Sequence, residues 1–174
     1  VYNILPGQSP ELVAEAKRKV RLSEDMGDGK DLINTQATAR VLDAMNEFAK
    51  VLKGFPDAQV FAVATEAMRR ARNGQSLARL LEETTGIPIQ IITGDQEAYY
   101  DFLAVRQTMP VEDALIIDTG GGSCELILMR GRTCVEKTSL PIGSVVLSEK
   151  YTDRGDLSAA AIFRLFNHVH ARLS

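Results

Sequence analysis

Leu115-Ile116-Ile117-Asp118-Thr119-Gly120-Gly121-Gly122-Ser123-Cys124-Glu125-Leu126 reads as an apolar strand that enters three consecutive glycines and returns as a second strand. Three glycines in a row cost backbone entropy, so they point to a main chain that needs positive φ or must approach a ligand closely. Unobstructed amides in such a loop bind phosphate oxygens through their partial positive charge. The Gly-Lys-Ser/Thr ending of a Walker A loop is absent, and a strand rather than a helix follows, unlike the dinucleotide fingerprint. A plain turn between strands would need one or two glycines and no Asp118. That aspartate closes the first strand, and Glu125 lies on the return strand, so a hairpin brings both carboxylates to one mouth. Paired carboxylates beside phosphate oxygens suit Mg²⁺, which takes oxygen ligands and keeps several waters. The competing reading of Glu125 is a solvated charge on an alternating strand.

Downstream, Cys124–Met129 is strand-like, Arg130-Gly131-Arg132 a turn and Thr133–Ser139 a third strand, which makes a meander. Pro141 and Gly143 break it. A last helix is expected from about Leu157 to Leu173, with Ile162, Leu165, Phe166, Val169 and Leu173 on its apolar side; His168 and His170 fall on different faces and read as structural or solvent-facing.

Upstream, Gly27-Asp28-Gly29 marks a loop, and Val41, Met45, Phe48 and Leu52 form one helical stripe ending at Gly54. Gln59–Thr65 reads as a buried strand and Glu66–Arg72 as a helical turn. Asn73 is the expected cap of a helix carrying Leu77, Leu80 and Leu81 and ending at Gly86. Ile87–Thr93 is a further strand; Gly94 breaks it, Asp95 can cap, and Ala98, Phe102 and Val105 form the buried side of the next helix. Alternating strands and helices indicate an α/β layered fold. A domain boundary is expected near Met109–Asp113, giving segments 1–109 and 110–174. Of the three arginines after Glu66, Arg69 and Arg72 would share a helical side, and Arg70 would lie on a solvated basic face.

The net charge of −3 gives no global basic field to draw in nucleic acid. No apolar run approaches the ~20 residues that span a bilayer. Val1–Pro6 is too short and lacks the basic start of a signal peptide, so the cytosol is the expected compartment. Cys124 and Cys134 then read as reduced thiols packed near strands. Val1 opens on the tail of a strand and the last residues fall in a helical pattern, which suggests a fragment.

Four blocks resemble the exopolyphosphatase/guanosine pentaphosphate phosphohydrolase (Ppx/GppA) family: Ala64-Thr65-Glu66-Ala67-Met68-Arg69-Arg70-Ala71-Arg72-Asn73, Thr93-Gly94-Asp95-Gln96-Glu97-Ala98, Ile117 to Leu126 around the glycines, and Ser139-Leu140-Pro141-Ile142-Gly143-Ser144-Val145-Val146-Leu147. They occur in order and at similar intervals. The resemblance implies an actin-like (ribonuclease H-like) fold of mixed sheets flanked by helices, with one domain nearly complete, lacking its opening hairpin, and the second partial. It implies hydrolysis of terminal phosphoanhydride bonds of polyphosphate or guanosine pentaphosphate, with Mg²⁺ as cofactor. Glu97 would orient or deprotonate the attacking water, although on its own it could be a first-turn Glu favouring the helix dipole. Asp118 would hold the metal and polarise the water, with Glu125 a further metal-linked acid. Gly120, Gly121, Gly122 and Ser123 would bind phosphate, and Arg69 would face the cleft. A homodimer is one assembly the resemblance allows.

The sequence departs from the family pattern in two ways. The opening Asp-x-Gly-Ser-Asn hairpin is absent, and Cys124 stands where Thr is usual, which weakens hydrogen bonding there. Two other functions compete: a small-molecule kinase of the same superfamily, against which the Gly-x-x-Glu-Ala block argues, and a polyphosphate- or nucleotide-binding sensor without catalysis.

Overall fold

Asn34 starts the first long helix by accepting a hydrogen bond from Ala37 N (2.8 Å) onto its side-chain oxygen, which satisfies one of the orphan donors of the first turn. The computed structural model describes residues 1–5, 7–8, 10–24, 26, 31–152 and 157–173; the Gly27-Asp28-Gly29 loop lies outside them. Ahead of Asn34, β1 (Tyr2–Asn3) pairs antiparallel with β2 (Glu11–Leu12). Helix α1 (Thr35–Leu52) follows, with Ala37, Val41 and Ala44 buried and Met45 packed on the same core.

Strand β3 (Ala62–Ala64) leads into α2 (Glu66–Arg70) and α3 (Gly74–Thr85), and β4 (Ile89–Ile91) returns parallel to β3. A parallel pair requires such a crossover. Met68, Ala71, Leu77, Ala78 and Leu81 pack with Val41 and Ile33 to form the first core. Leu80, expected inside, is exposed, and Ala78 takes the buried position. Gln59–Thr65 does not form a buried strand throughout. Only three residues pair, and successive side chains point to opposite faces. Ala64 meets the core, whereas Val63 is exposed and the preceding Phe61 is 86% exposed.

Two expected caps differ. Asn73 makes no side-chain cap to α3; its Oδ1 accepts from Ile33 N (3.0 Å) and its Nδ2 donates to Ile33 O (2.9 Å), pinning the segment before α1. Helix α4 (Gly94–Thr108) is capped by Thr93, not Asp95: Gln96 N donates to Thr93 Oγ1 (3.1 Å) and Thr93 N to Gln96 Oε1 (2.9 Å). This capping box satisfies two donors reciprocally. Asp95 is left to pair with Lys137 (2.7 Å). Helix α2 ends at Arg70 and Ala71 is extended, so Arg69 and Arg72 share no helical face.

Strands β5 (Ala114–Thr119), β6 (Cys124–Arg130) and β7 (Thr133–Leu140) form an antiparallel meander. Gly131 and Arg132 both adopt positive φ at the β6–β7 turn, the geometry that two-residue hairpins favour. Arg132 is held there by its amide on Glu112 O (2.8 Å) and its guanidinium on Val111 O (3.0 Å). Along one face of the meander Ala114 and Ile116 of β5 lie opposite Met129 and Ile127 of β6, and Ala98 and Phe102 of α4 cover them to form the second core. Leu115 and Ile117, on the other face, are exposed. Helices α5 (Ser144–Tyr151) and α6 (Ala159–Leu173) follow, and Ile162, Phe166 and Leu173 of α6 are exposed. His168 packs on Tyr151 and His170 on Phe166. Both cysteines are free, Cys124 buried and Cys134 partly so. Among the described residues no helix is long and apolar enough to cross a membrane.

Candidate active site

The antiparallel register puts Asp118 directly opposite Glu125, and Glu125 directly opposite Ser139. Opposed residues share a face of the sheet with Cβ atoms ≈ 4.5–5.5 Å apart. Glu125 is only 2% exposed, so it is not a solvated strand charge, and Ser139 Oγ donates to its Oε1 (2.7 Å). Asp118 is exposed. This acidic row continues the face whose apolar half α4 covers.

The same helix brings two more acids. Glu97 and Asp101, four residues apart, lie on neighbouring turns of α4. Glycine at 94 permits the close approach of the helix start, since a Cβ there would lie 2.6 Å from Ser139 Cβ. Arg69 ties α2 to the end of β4 and the start of α4: one guanidinium nitrogen donates to Ile92 O (2.8 Å) and to Glu97 Oε2 (3.2 Å). Burial, then the Glu125 charge, push the Glu97 carboxyl above the usual range, while hydrogen bonds from Arg69 and Thr65 oppose the rise. Asp101 is pushed up to about 6, first by burial and then by Asp118, Glu125 and Glu97. Its Oδ2 is buried with no hydrogen-bond partner among the described residues. Asp101 escaped the sequence reading; its four-residue spacing from Glu97 was the signal that could have found it.

The glycine loop is anchored by its carbonyls. Ser144 N donates to Gly120 O (2.9 Å), Val145 N to Gly121 O (2.9 Å) and Gly143 N to Gly122 O (3.1 Å). Oxygens thus face the start of α5, and the Gly121 and Gly122 amides donate to nothing among the described residues. None of Gly120, Gly121 and Gly122 has positive φ, so conformational freedom does not explain them. Close packing does. A Cβ at Gly122 would lie 3.0 Å from Glu66 Cδ and nearer still to Oε2, and a Cβ at Gly143 would overlap the carbonyl groups of Gly121 and Gly122. Ser123 is buried.

Arg70 does not sit on a solvated face. It donates to Glu66 Oε1 (3.1 Å) and Met26 O (2.5 Å) and is mostly buried. Glu66, also buried, was likewise missed. Only the fold sets it against Gly122.

The acids Glu97, Asp101, Asp118 and Glu125 outnumber their cationic partner Arg69, and burial together with mutual repulsion raises two of them. A divalent cation suits a set so short of positive charge. Among the described residues no three His, Cys, Asp or Glu side chains converge closely enough to hold an ion by themselves. An ion here would therefore complete its shell with water and phosphate oxygens, as Mg²⁺ does.

The profile of the Ppx/GppA phosphatase family matches residues 1–174. The chain belongs to that family. An exopolyphosphatase from Cytophaga hutchinsonii ATCC 33406 is 27% identical, with a TM-score of 0.88 over 99% of this chain and 55% of that one. A Ppx/GppA family member from Aquifex aeolicus is 28% identical, with a TM-score of 0.74 over 99% of this chain and 56% of the other. With the Ppx/GppA family comes the actin-like α/β fold of mixed sheets and flanking helices. The chain spans about half the length of these solved relatives.

Proposed function

We propose that this chain forms the phosphate-binding and water-activating part of a Ppx/GppA hydrolase that removes terminal phosphates from inorganic polyphosphate or guanosine pentaphosphate. One observation carries the reading: Glu97, with its raised pKa, faces the Asp118–Glu125 hairpin whose glycine loop has amides to spare. Phosphoanhydride hydrolysis needs an in-line water, neutralisation of charge on the transferred group and little more. In this reading the Gly121 and Gly122 amides and Ser123 hold the phosphoryl oxygens. Arg69 keeps Glu97 oriented through their ion pair while anchored on Ile92 O. Glu97 accepts the proton of the attacking water at a carboxylate oxygen, and its raised pKa makes it the better base. Asp118 and Glu125 would hold Mg²⁺, with Ser139 fixing the Glu125 carboxylate. A cation so held supplies charge neutralisation and a polarised water when bound.

The test is phosphate release from polyphosphate and guanosine pentaphosphate with Mg²⁺, for wild type and Glu97→Gln. Loss of a general base costs ~10²–10⁴-fold in rate, and Glu97→Gln is expected to lose that much kcat while keeping its circular dichroism spectrum. Undiminished release would remove Glu97 from the reaction. Binding of both anions without release would indicate a sensor, and ADP formation from ATP with a small alcohol would indicate a kinase.

A further inference from the structure

We propose that the Thr65 hydroxyl is a positioning group for Glu97, acting with Arg69 to fix the plane of the carboxylate that receives the proton of the attacking water. This rests on the reading of Glu97 as the base. Thr65 joins the end of β3 to α2 and is partly buried. It stands where a side chain usually caps a helix, yet it makes no cap bond to α2. Its hydroxyl turns instead to Glu97, which accepts hydrogen bonds from both Thr65 and Arg69.

The fold brings these three side chains together through main-chain bonds. Arg69 N donates to Thr65 O (3.0 Å), so the two donors stand four residues apart on one side of a helical turn. Ile92 N donates to Ala64 O (3.0 Å), which ties the end of β4 to the end of β3 just before Thr65. Glu97 N donates to Thr93 O (3.0 Å) in the first turn of α4. The last torsion of a glutamate side chain is broad, so one donor holds one oxygen and leaves the carboxylate plane free to turn. A second donor on another residue removes that freedom. A neutral hydroxyl does so without adding a second cation, and Glu97 stays above the usual carboxylate range with both donors in place.

The experiment compares Thr65→Val, which keeps the shape and loses the hydroxyl, with Thr65→Ser, which keeps the hydroxyl. In EDTA, carbon-13 NMR titration of the Glu97 carboxyl should show a higher pKa in Thr65→Val and little change in Thr65→Ser, because only the first loses a donor to the charged form. Arg69 and Glu125, which also act on that carboxyl, are the same in both. No rise in Thr65→Val means that the bond is absent and overturns the proposal. In phosphate release from polyphosphate with Mg²⁺, Thr65→Val is expected to lose about 10–100-fold in kcat, within what a 1 Å misplacement of a reacting group costs. Its KM should hold, and Thr65→Ser should stay close to wild type. An unchanged kcat in Thr65→Val, an equal loss in Thr65→Ser, or a change in KM alone overturns the proposal. Adding Thr65→Val to Glu97→Gln should cost little more, since a positioning residue acts through the group it orients; a full further loss overturns it. If Glu97→Gln keeps its rate, or wild type releases no phosphate, the base reading falls and the proposal with it. If Glu97→Gln loses rate and Thr65→Val does not, only the positioning role falls.

Discussion

Replacing Asp101 with Asn is expected to stabilise the protein at neutral pH, although the side chain sits in the candidate active site. The carboxyl is raised from 3.8 to about 6, with burial the largest cause and Asp118, Glu125 and Glu97 adding repulsion. A folded carboxyl that keeps its proton to higher pH than the unfolded one makes the folded state bind more protons between those two values. Stability therefore falls as pH rises from about 3.8 to about 6, and the penalty is fully present above that window. Two pKa units correspond to about 3 kcal/mol. Asp101 is partly exposed, and solvent screening reduces this to about 1–2 kcal/mol. Asparagine carries no charge, and its amide donors face a site with an excess of acceptors. The assay is urea unfolding followed by circular dichroism from pH 4 to 8 in EDTA. D101N should match wild type near pH 4 and exceed it by about 1–2 kcal/mol at pH 7.5, or by about 2–8 °C in Tm. Adding Mg²⁺ should narrow the gap, since a cation at Asp118 and Glu125 cancels their share of the repulsion. Equal stabilities at pH 7.5, with the wild-type slope retained in D101N, would refute the electrostatic account.

Two other substitutions probe the supports of the site. Ser139→Ala removes the hydroxyl that holds Glu125 Oε1 and leaves a buried carboxylate short of a donor; unfolding titrations at pH 7 should show a loss of about 1–3 kcal/mol. Gly143→Ala places a methyl on the carbonyl groups of Gly121 and Gly122, where main chain must shift rather than a side chain; a loss of about 1–3 kcal/mol is expected, with weaker tripolyphosphate binding by calorimetry.

The hairpin around the glycines was legible because its signal is local. An apolar run, a glycine cluster and a second alternating run permit few other backbones, and the observed register sets Asp118 opposite Glu125. The stripe of α1 and the buried Ala98 and Phe102 of α4 were legible through the helical period. Capping was harder to read, because neighbouring polar residues compete for one role. Thr93 took the cap and Asp95 the ion pair with Lys137, while Asn73 turned to Ile33. Arg70 and Glu66 were misread or missed because burial of a charge depends on what packs over it.

By itself the sequence determined the order of strands and helices from α1 to β7, the glycine hairpin with its opposed acids, and membership of a phosphatase family, since all three reside in short-range pattern and block order. Only the tertiary structure decided that α4 lays Glu97 and Asp101 over that hairpin, that Gly122 and Gly143 are required by space rather than by positive φ, and that Glu66 ends against the loop. Those facts depend on which surfaces exclude water from one another, and residues far apart in the chain settle that jointly.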